Sequence, residues 1–499
     1  MREAYENVPQ PLLLASCACR AIATPQRGIT DMAVFIDDAG RTGEHHELAQ
    51  PAPGAWRLAW LVMAVATVSW LDRTLIGILI EPIKAEFSFS DTEISLLTGL
   101  AFSVCYGVGA LPIAWLADRM NRALLLAMGV TIWCSLTIGF GFATSFWIMF
   151  LCRMGVGLGE ATAVPCSISL LSDRFPRTVL PRGLGIFQLG TPIGVTLATA
   201  GAATLTEWLT RSGTAEQIGM SSWRITFIIA GSLGLILVLP LLLTRDKRAP
   251  APKVKAGTEA REGLMSHLYN VRAYIIPLMI GNALFALFLY GYPQWVVVMF
   301  QRVHGWTLQE TGIAFGAVAV STGILGALAA GWVTPRLSRR MGKDATFRLK
   351  VIAAMVIGPL AAIAPILPNP WLSLALLCTP LFFAYGASTL LPGAIVNASP
   401  SWLRARFIAI NVFLGSLVGG GLGALFFASL TDYVFRDEKM VSYSLMLGTL
   451  ILYAAIIPLW ILASRRYHDA IHRADQVERA AGLPSHDDGL ESDEPVVAH

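Results

Sequence analysis

Apolar runs long enough to cross a lipid bilayer recur twelve times along these 499 residues, and no other feature limits the fold so tightly. A spanning helix needs about 20 apolar residues. In lipid, backbone groups must bond internally, so only helices and closed barrels cross. The runs fall at about 57–82, 94–117, 123–143, 146–171, 183–208 and 223–244, then 273–299, 310–334, 350–368, 371–398, 406–431 and 442–464. Barrel strands would alternate apolar and polar residues, whereas these runs are continuously apolar. Only 14% of residues are charged, against about 25% in soluble proteins. The expected fold is an all-α membrane protein of twelve transmembrane helices in two pseudo-symmetric six-helix bundles.

One long internal loop, residues 245–272, divides the runs six and six; its Pro, Ala and Lys content suits a linker. The expected units are a cytoplasmic extension (1–55) without sustained periodicity, a first bundle (56–244), the central loop (245–272), a second bundle (273–465) and an acidic tail (466–499). Extension and tail read as disordered. Leu14-Ala15-Ser16-Cys17 faintly resembles a lipoprotein cleavage box, but the apolar core before it is too short for a signal peptide. Met32 is an alternative start. Basic residues cluster after spans two, four, eight and ten and in the central loop, while the alternate loops hold few. That bias places both termini and the central loop in the cytoplasm, with the protein in the inner or plasma membrane. The net charge of +4 is therefore topological and points to no nucleic-acid partner. Five of the seven cysteines lie in apolar runs and read as small core residues.

Charges inside apolar runs narrow the function. Span four carries Arg153 and Glu160, seven residues apart on one helix face; span one carries Asp72 and Arg73. A charge at bilayer depth costs at least ~2.5–3.5 kcal/mol, so it faces protein or water and is functional by default. Gly155, Gly157 and Gly159 allow a neighbouring backbone close to that face. Asp72 and Glu160 are expected to carry protons, with Arg73 and Arg153 setting their proton affinity. The competing reading is a static set of ion pairs joining spans one and four. Asp72 and Arg73 point about 100° apart, and Asp72 is taken as the one facing the cavity.

The two halves echo one another. Ala114 to Arg122, containing Asp118 and Arg119, follows span two, and Gly331 to Arg340 follows span eight. Basic turns at equivalent points of two six-helix repeats suggest a transporter with a midplane site between the halves. At this point the sequence resembles the major facilitator superfamily. Asp118, Arg119 and Arg122 match its signature loop, which departs at Ala114, Asn121 and Ala123 and, in the second copy, at Pro335. Arg153 to Ala161 is similar to its span-four arginine motif, and Gly190-Thr191-Pro192-Ile193-Gly194 to a span-five hinge motif. A narrower resemblance is to spinster-like lysolipid and sphingolipid transporters. It rests on Leu71-Asp72-Arg73-Thr74, Ser90-Asp91-Thr92, Leu96 to Phe102, Gly157 to Ala161, Pro165 and Ser172 to Pro176, and is dense only in the first half. The resemblance implies alternating access, proton-linked or facilitated movement of an amphiphile, and a gating latch at Asp118, Arg119 and Arg122. The latch competes with a solvated turn that only sets topology. Gly190, Pro192 and Gly194 are a hinge or a packing surface.

The substrate wall is expected from polar and aromatic residues deep in spans: Gln188, Thr191, Asn282, Tyr290, Gln294, Tyr385 and Asn397. The second half reads as lacking any charge at mid-depth. That asymmetry suits a lipid-like amphiphile or organic anion, its head near Arg153 and its tail along an apolar wall. No phosphate-cradling glycine loop appears, and no metal or cofactor is expected; His468 and His472, spaced i, i+4, read as a solvated face. The expected partners are bilayer lipid, protons and a small organic solute, handled by a monomer. The rivals are a proton-antiport drug exporter, an intramembrane enzyme using Asp72 and Glu160 as an acid pair, and a receptor on the same scaffold.

Overall fold

The computed structural model describes residues 51–176, 179–246, 264–341, 345–400 and 402–480. Among them, twelve helices are long and apolar enough to cross a membrane. The first bundle comprises spans one to six: Ala55–Ile78, Asp91–Ala110, Arg122–Gly141, Phe146–Ser172, Arg182–Arg211 and Ser222–Leu242. The second comprises spans seven to twelve: Arg272–Arg302, Leu308–Ala330, Phe347–Ile366, Pro370–Ser388, Arg406–Phe435 and Glu438–Ala480.

Helix starts carry local signals. Ser90 opens span two with a capping box, its hydroxyl accepting from Glu93 N while the Glu93 carboxylate accepts from Ser90 N. Asn121 caps span three and Ser145 caps span four. Span one stops at Ile78, and a short helix, Ile80–Phe87, leads to span two.

Two expected boundaries shift. The last helix runs on to Ala480, so residues 466–480 are helical and not a free tail. They stay ordered because Tyr467, Ala470, Ile471 and Ala474 bury an apolar face among Tyr274 and Phe347. The central loop holds a short helix, Leu264–Asn270. Residues 1–50 and 481–499, assigned to the extension and tail, lie outside the described residues.

Within the first bundle, span five lies against span one. A Cβ at Gly190 would come within 2.6 Å of Ala66 Cβ, and one at Gly194 within 2.4 Å of Thr67 O, so only glycine fits this crossing. The helix is interrupted at Leu189, just ahead of Pro192, whose ring removes a backbone donor. Between the halves, span two meets span eleven and span five meets span eight. Spans two and eleven each form a π-turn where they touch, at 96–100 and 415–421. A Cβ at Gly99 would lie 2.7 Å from Gly421 O. Irregular turns of this kind concentrate at functional sites.

The halves are tied at the end opposite the central loop. Arg302 of span seven forms a two-pronged pair with Asp91 of span two, Nη1–Oδ2 and Nη2–Oδ1 both 2.7 Å, and also pairs with Glu81 at 2.7 Å. Lys84 bridges Asp91 and Glu438. Asp432 Oδ2 accepts from Thr92 N and Oγ1 at 2.7 and 2.6 Å, and Glu207 accepts from Gln309 N at 2.8 Å.

Candidate substrate and proton site

Spans one and four place their four charges in register, and they pair crosswise. Asp72 of span one meets Arg153 of span four, Oδ2–Nη1 3.2 Å; Arg73 of span one meets Glu160 of span four, Nε–Oε2 2.6 Å. Adjacent residues on span one can do this because they point in different directions. Seven residues on span four return to nearly the same face one helical repeat further along. Span two supports the ladder from below: a Cβ at Gly157 would lie 2.3 Å from Phe102 O.

The two pairs differ in surroundings. Asp72 and Arg153 are sealed, 2% and 1% exposed, with Thr137 donating to Asp72 Oδ1 at 2.8 Å. Glu160 is also sealed; its Oε2 accepts from Ser69 at 2.8 Å and from Arg73, while its Oε1 has no partner among the described residues. An unpaired carboxylate oxygen in such a setting is costly. Arg73 alone reaches open space, its side chain 20% exposed. It lies over the rings of Tyr106, Phe102 and Trp70, at 4.4, 4.8 and 5.4 Å. Phe102 is shared with Arg153, 5.4 Å away. Tyr290 of span seven stands within electrostatic reach of Arg73, and Tyr385 of span ten within reach of Tyr290. Tyr290 is 45% exposed.

Of these four charges Arg73 is the most exposed, and Asp72 is enclosed. Asp72 turns toward span three, where the Thr137 hydroxyl and Arg153 satisfy it.

Other expected residues divide. Tyr385 is half-buried in span ten. Thr191 is half-buried and Gln188 exposed in span five. Gln294 donates to Thr98 Oγ1 at 2.9 Å across the halves, so it ties span seven to span two. Asn282 is 4% exposed and committed to two neighbours, Lys350 Nζ at 3.1 Å and Asn411 Oδ1 at 3.0 Å. The side chains of Asn397 and Asp118 lie outside the described residues. Arg119 is exposed and stacks over Trp115 at 3.6 Å. Arg122 is buried within the first half, paired with Asp173 and Asp246 at 2.5 Å each and donating to Ser169 Oγ at 2.7 Å. It locks span three to the ends of spans four and six. Such a clamp holds these three spans of the first bundle together.

The second half holds a buried cation, Lys350, near the loop end of span nine. It is wholly buried in span nine, 4.4 Å from the Trp460 ring centroid. In sequence Lys350 stands at the edge of the ninth run, among the loop bases; the helix starts at Ala345 and carries it inside. Arg302 likewise reads as a loop base, and its pairing with Asp91 across the halves forms the clamp.

A sequence profile of the Major Facilitator Superfamily matches residues 62–424. The chain belongs to the Major Facilitator Superfamily. Among relatives in this superfamily, an MFS-type efflux pump of Mycolicibacterium smegmatis is 26% identical over 450 residues, covering 89% of this chain and 98% of the pump. A sphingosine-1-phosphate transporter of Xenopus tropicalis is 26% identical over 288 residues, 54% of this chain and 52% of that protein. The fold matches a crystal structure of a bacterial homologue of the human lysosomal transporter Spinster, in an inward-facing and unoccupied conformation. Its TM-score is 0.68 at 22% identity, covering 86% of this chain and 99% of that one. The chain is thus a multi-pass membrane protein of this superfamily, and its fold is like that of the spinster homologue.

Proposed function

We propose that the protein is a proton-coupled secondary transporter of an amphiphile with an anionic head group, working by alternating access. The observation that carries this reading is the Arg73–Glu160 pair, in which one carboxylate oxygen is spent on Arg73 and Ser69 and the other has no partner among the described residues. A proton arriving on Glu160 Oε1 neutralises the carboxylate and weakens its hold on Arg73. The freed guanidinium then faces the cavity with a full positive charge, ready for a cargo oxyanion. Loss of the proton returns Arg73 to Glu160 and ejects the anion, so proton and anion travel together. The sealed Asp72–Arg153 pair keeps the local charge balanced while this happens. Basic residues at the central-loop end put that end in the cytoplasm. With the halves clamped at the other end by Arg302, Asp91 and Lys84, the structure then corresponds to an inward-facing state.

The test is uptake into sealed proteoliposomes under an imposed pH gradient. Glu160→Gln is expected to abolish the gradient response, at least 100-fold, while gradient-free exchange of cargo persists. Gradient-driven uptake at wild-type rates would discard the coupling. The full-length likeness to an efflux pump favours a second reading, antiport of an outgoing cargo against protons. Reversing the imposed gradient separates the two, since symport and antiport respond with opposite sign.

A further inference from the structure

The second half holds a buried cation that the proposed cycle does not use. Lys350 is 0% exposed, and among the described residues it has no carboxylate partner. Its neighbours are the Asn282 amide oxygen at 3.1 Å and the faces of Trp460 and Phe347, at 4.4 and 5.5 Å. An ammonium only donates, so it fixes the orientation of the Asn282 amide, oxygen toward Lys350 and nitrogen away. Asn282 Nδ2 is then 3.0 Å from Asn411 Oδ1. Donation therefore runs one way, from Lys350 through Asn282 to Asn411. The Asn411 oxygen is used, and its Nδ2 hydrogens have no partner among the described residues. Asn411 is half-buried on span eleven, near the meeting of spans seven and two: Gly415, one turn on, faces Ala286, and the Phe413 ring faces Gly107. Asn282, Ala286 and Tyr290 share one face of span seven. Asn411 thus lies roughly 12 Å from the Tyr290 level toward the central loop, by helical rise.

We propose that Asn411 is a second subsite for an oxyanion, phosphate or carboxylate, on the path between Arg73 and the central-loop end, with Lys350 and Asn282 as its positioning residues. Two features select that ligand class. The Asn411 Nδ2 hydrogens are the donors left over among the described residues, and the formal charge behind them is positive, with no carboxylate partner among the described residues. A cation meets an unfavourable field there. The subsite gives the head group a resting place before or after Arg73, shortening the distance over which the charge moves unpaired. This rests on the reading of the cargo as anionic.

The test uses the purified full-length chain in nanodiscs, with sphingosine 1-phosphate and sphingosine as probes that differ only in the phosphate. Asn411→Ala and Lys350→Met are each expected to weaken sphingosine 1-phosphate binding about tenfold, the worth of one hydrogen bond to a charged group. Sphingosine binding should not change. The double variant should lose little more than Asn411→Ala alone, because both changes remove one interaction. Asn411→Asp, nearly isosteric, replaces the donor with a like charge and should cost about 100-fold. Unchanged phosphate binding in Asn411→Ala and Asn411→Asp, with loss in Arg73→Ala, would overturn the subsite and leave the anionic-cargo reading standing. Equal losses for both probes would reduce Lys350 to a packing role and overturn it as well. Wild-type protein binding neither probe would overturn the cargo reading and the subsite together.

Discussion

The two halves bury charge in opposite ways. In the first, Asp72, Arg73, Arg153 and Glu160 form two pairs whose charges cancel, inside one bundle. In the second, Lys350 stands alone against amides and aromatic faces. A paired charge depends on its partner, so removing one member exposes the other to the full penalty of burial. A lone charge has no such dependant. The first arrangement suits a switch, because protonating one member redistributes the rest. The second suits a buried donor that orients the neighbouring amides.

That contrast predicts its largest effect in stability. Arg153→Met should destabilise the protein by about 3–5 kcal/mol by stranding Asp72, whereas Lys350→Met should be neutral or stabilising. Denaturation in a common detergent, followed by tryptophan fluorescence, checks both. Similar losses for the two variants would erase the distinction. The Glu160→Gln loss of gradient response, with no matching effect in Lys350→Met, sharpens the division into switch and buried donor.

The clamp at the far end joins the halves and should set the balance between conformations. Arg302→Ala removes the two-pronged contact to Asp91 and the pair to Glu81. It should shift the ratio of states about tenfold, or ~1.4 kcal/mol, toward opening at that end. Distances between spin labels on the 211–222 and 366–370 connections read this directly; an unmoved distribution would remove the clamp from the gating account. Asp118→Ala at the central-loop end should act in the opposite sense and more weakly, about two- to fivefold. Transport rate normalised to expression measures it.

The smallest effect concerns Glu86, outside the spans. Burial pushes its carboxyl up, but hydrogen bonds from Arg224, Ser221 and Trp223 outweigh this and hold it below the ordinary 4.5. A depressed carboxylate contributes stability above its unfolded value and loses it as pH falls through the folded one. Glu86→Gln should therefore lower the melting temperature slightly at pH 7 and cease to differ from wild type in strong acid. A gap that widened on acidification would contradict the sign.

The resemblance to the superfamily's signature residues was legible because spacing alone carries it. Asp72, Arg73, Arg153 and Glu160 stood out because a charge in an apolar run is conspicuous. Lys350 did not, since it occupies the edge of a run beside true loop bases, and one extra helical turn decides its side. Asn411 lacked any signal, being a single amide in a long span. Asp91 and Arg302 looked like an ordinary cap and an ordinary loop base, because their significance lies in a partner more than 200 residues away in sequence.

By itself, the sequence determined the number of spans, the six-and-six division and the presence of ions in spans one and four. Those follow from hydrophobicity and chain order, which act locally. The tertiary structure decided which acid meets which arginine, that Arg73 is more exposed than Asp72, that Lys350 is inside, and at which end the halves are tied. Each of these depends on the direction of a side chain relative to a helix far along the chain, and packing sets that direction.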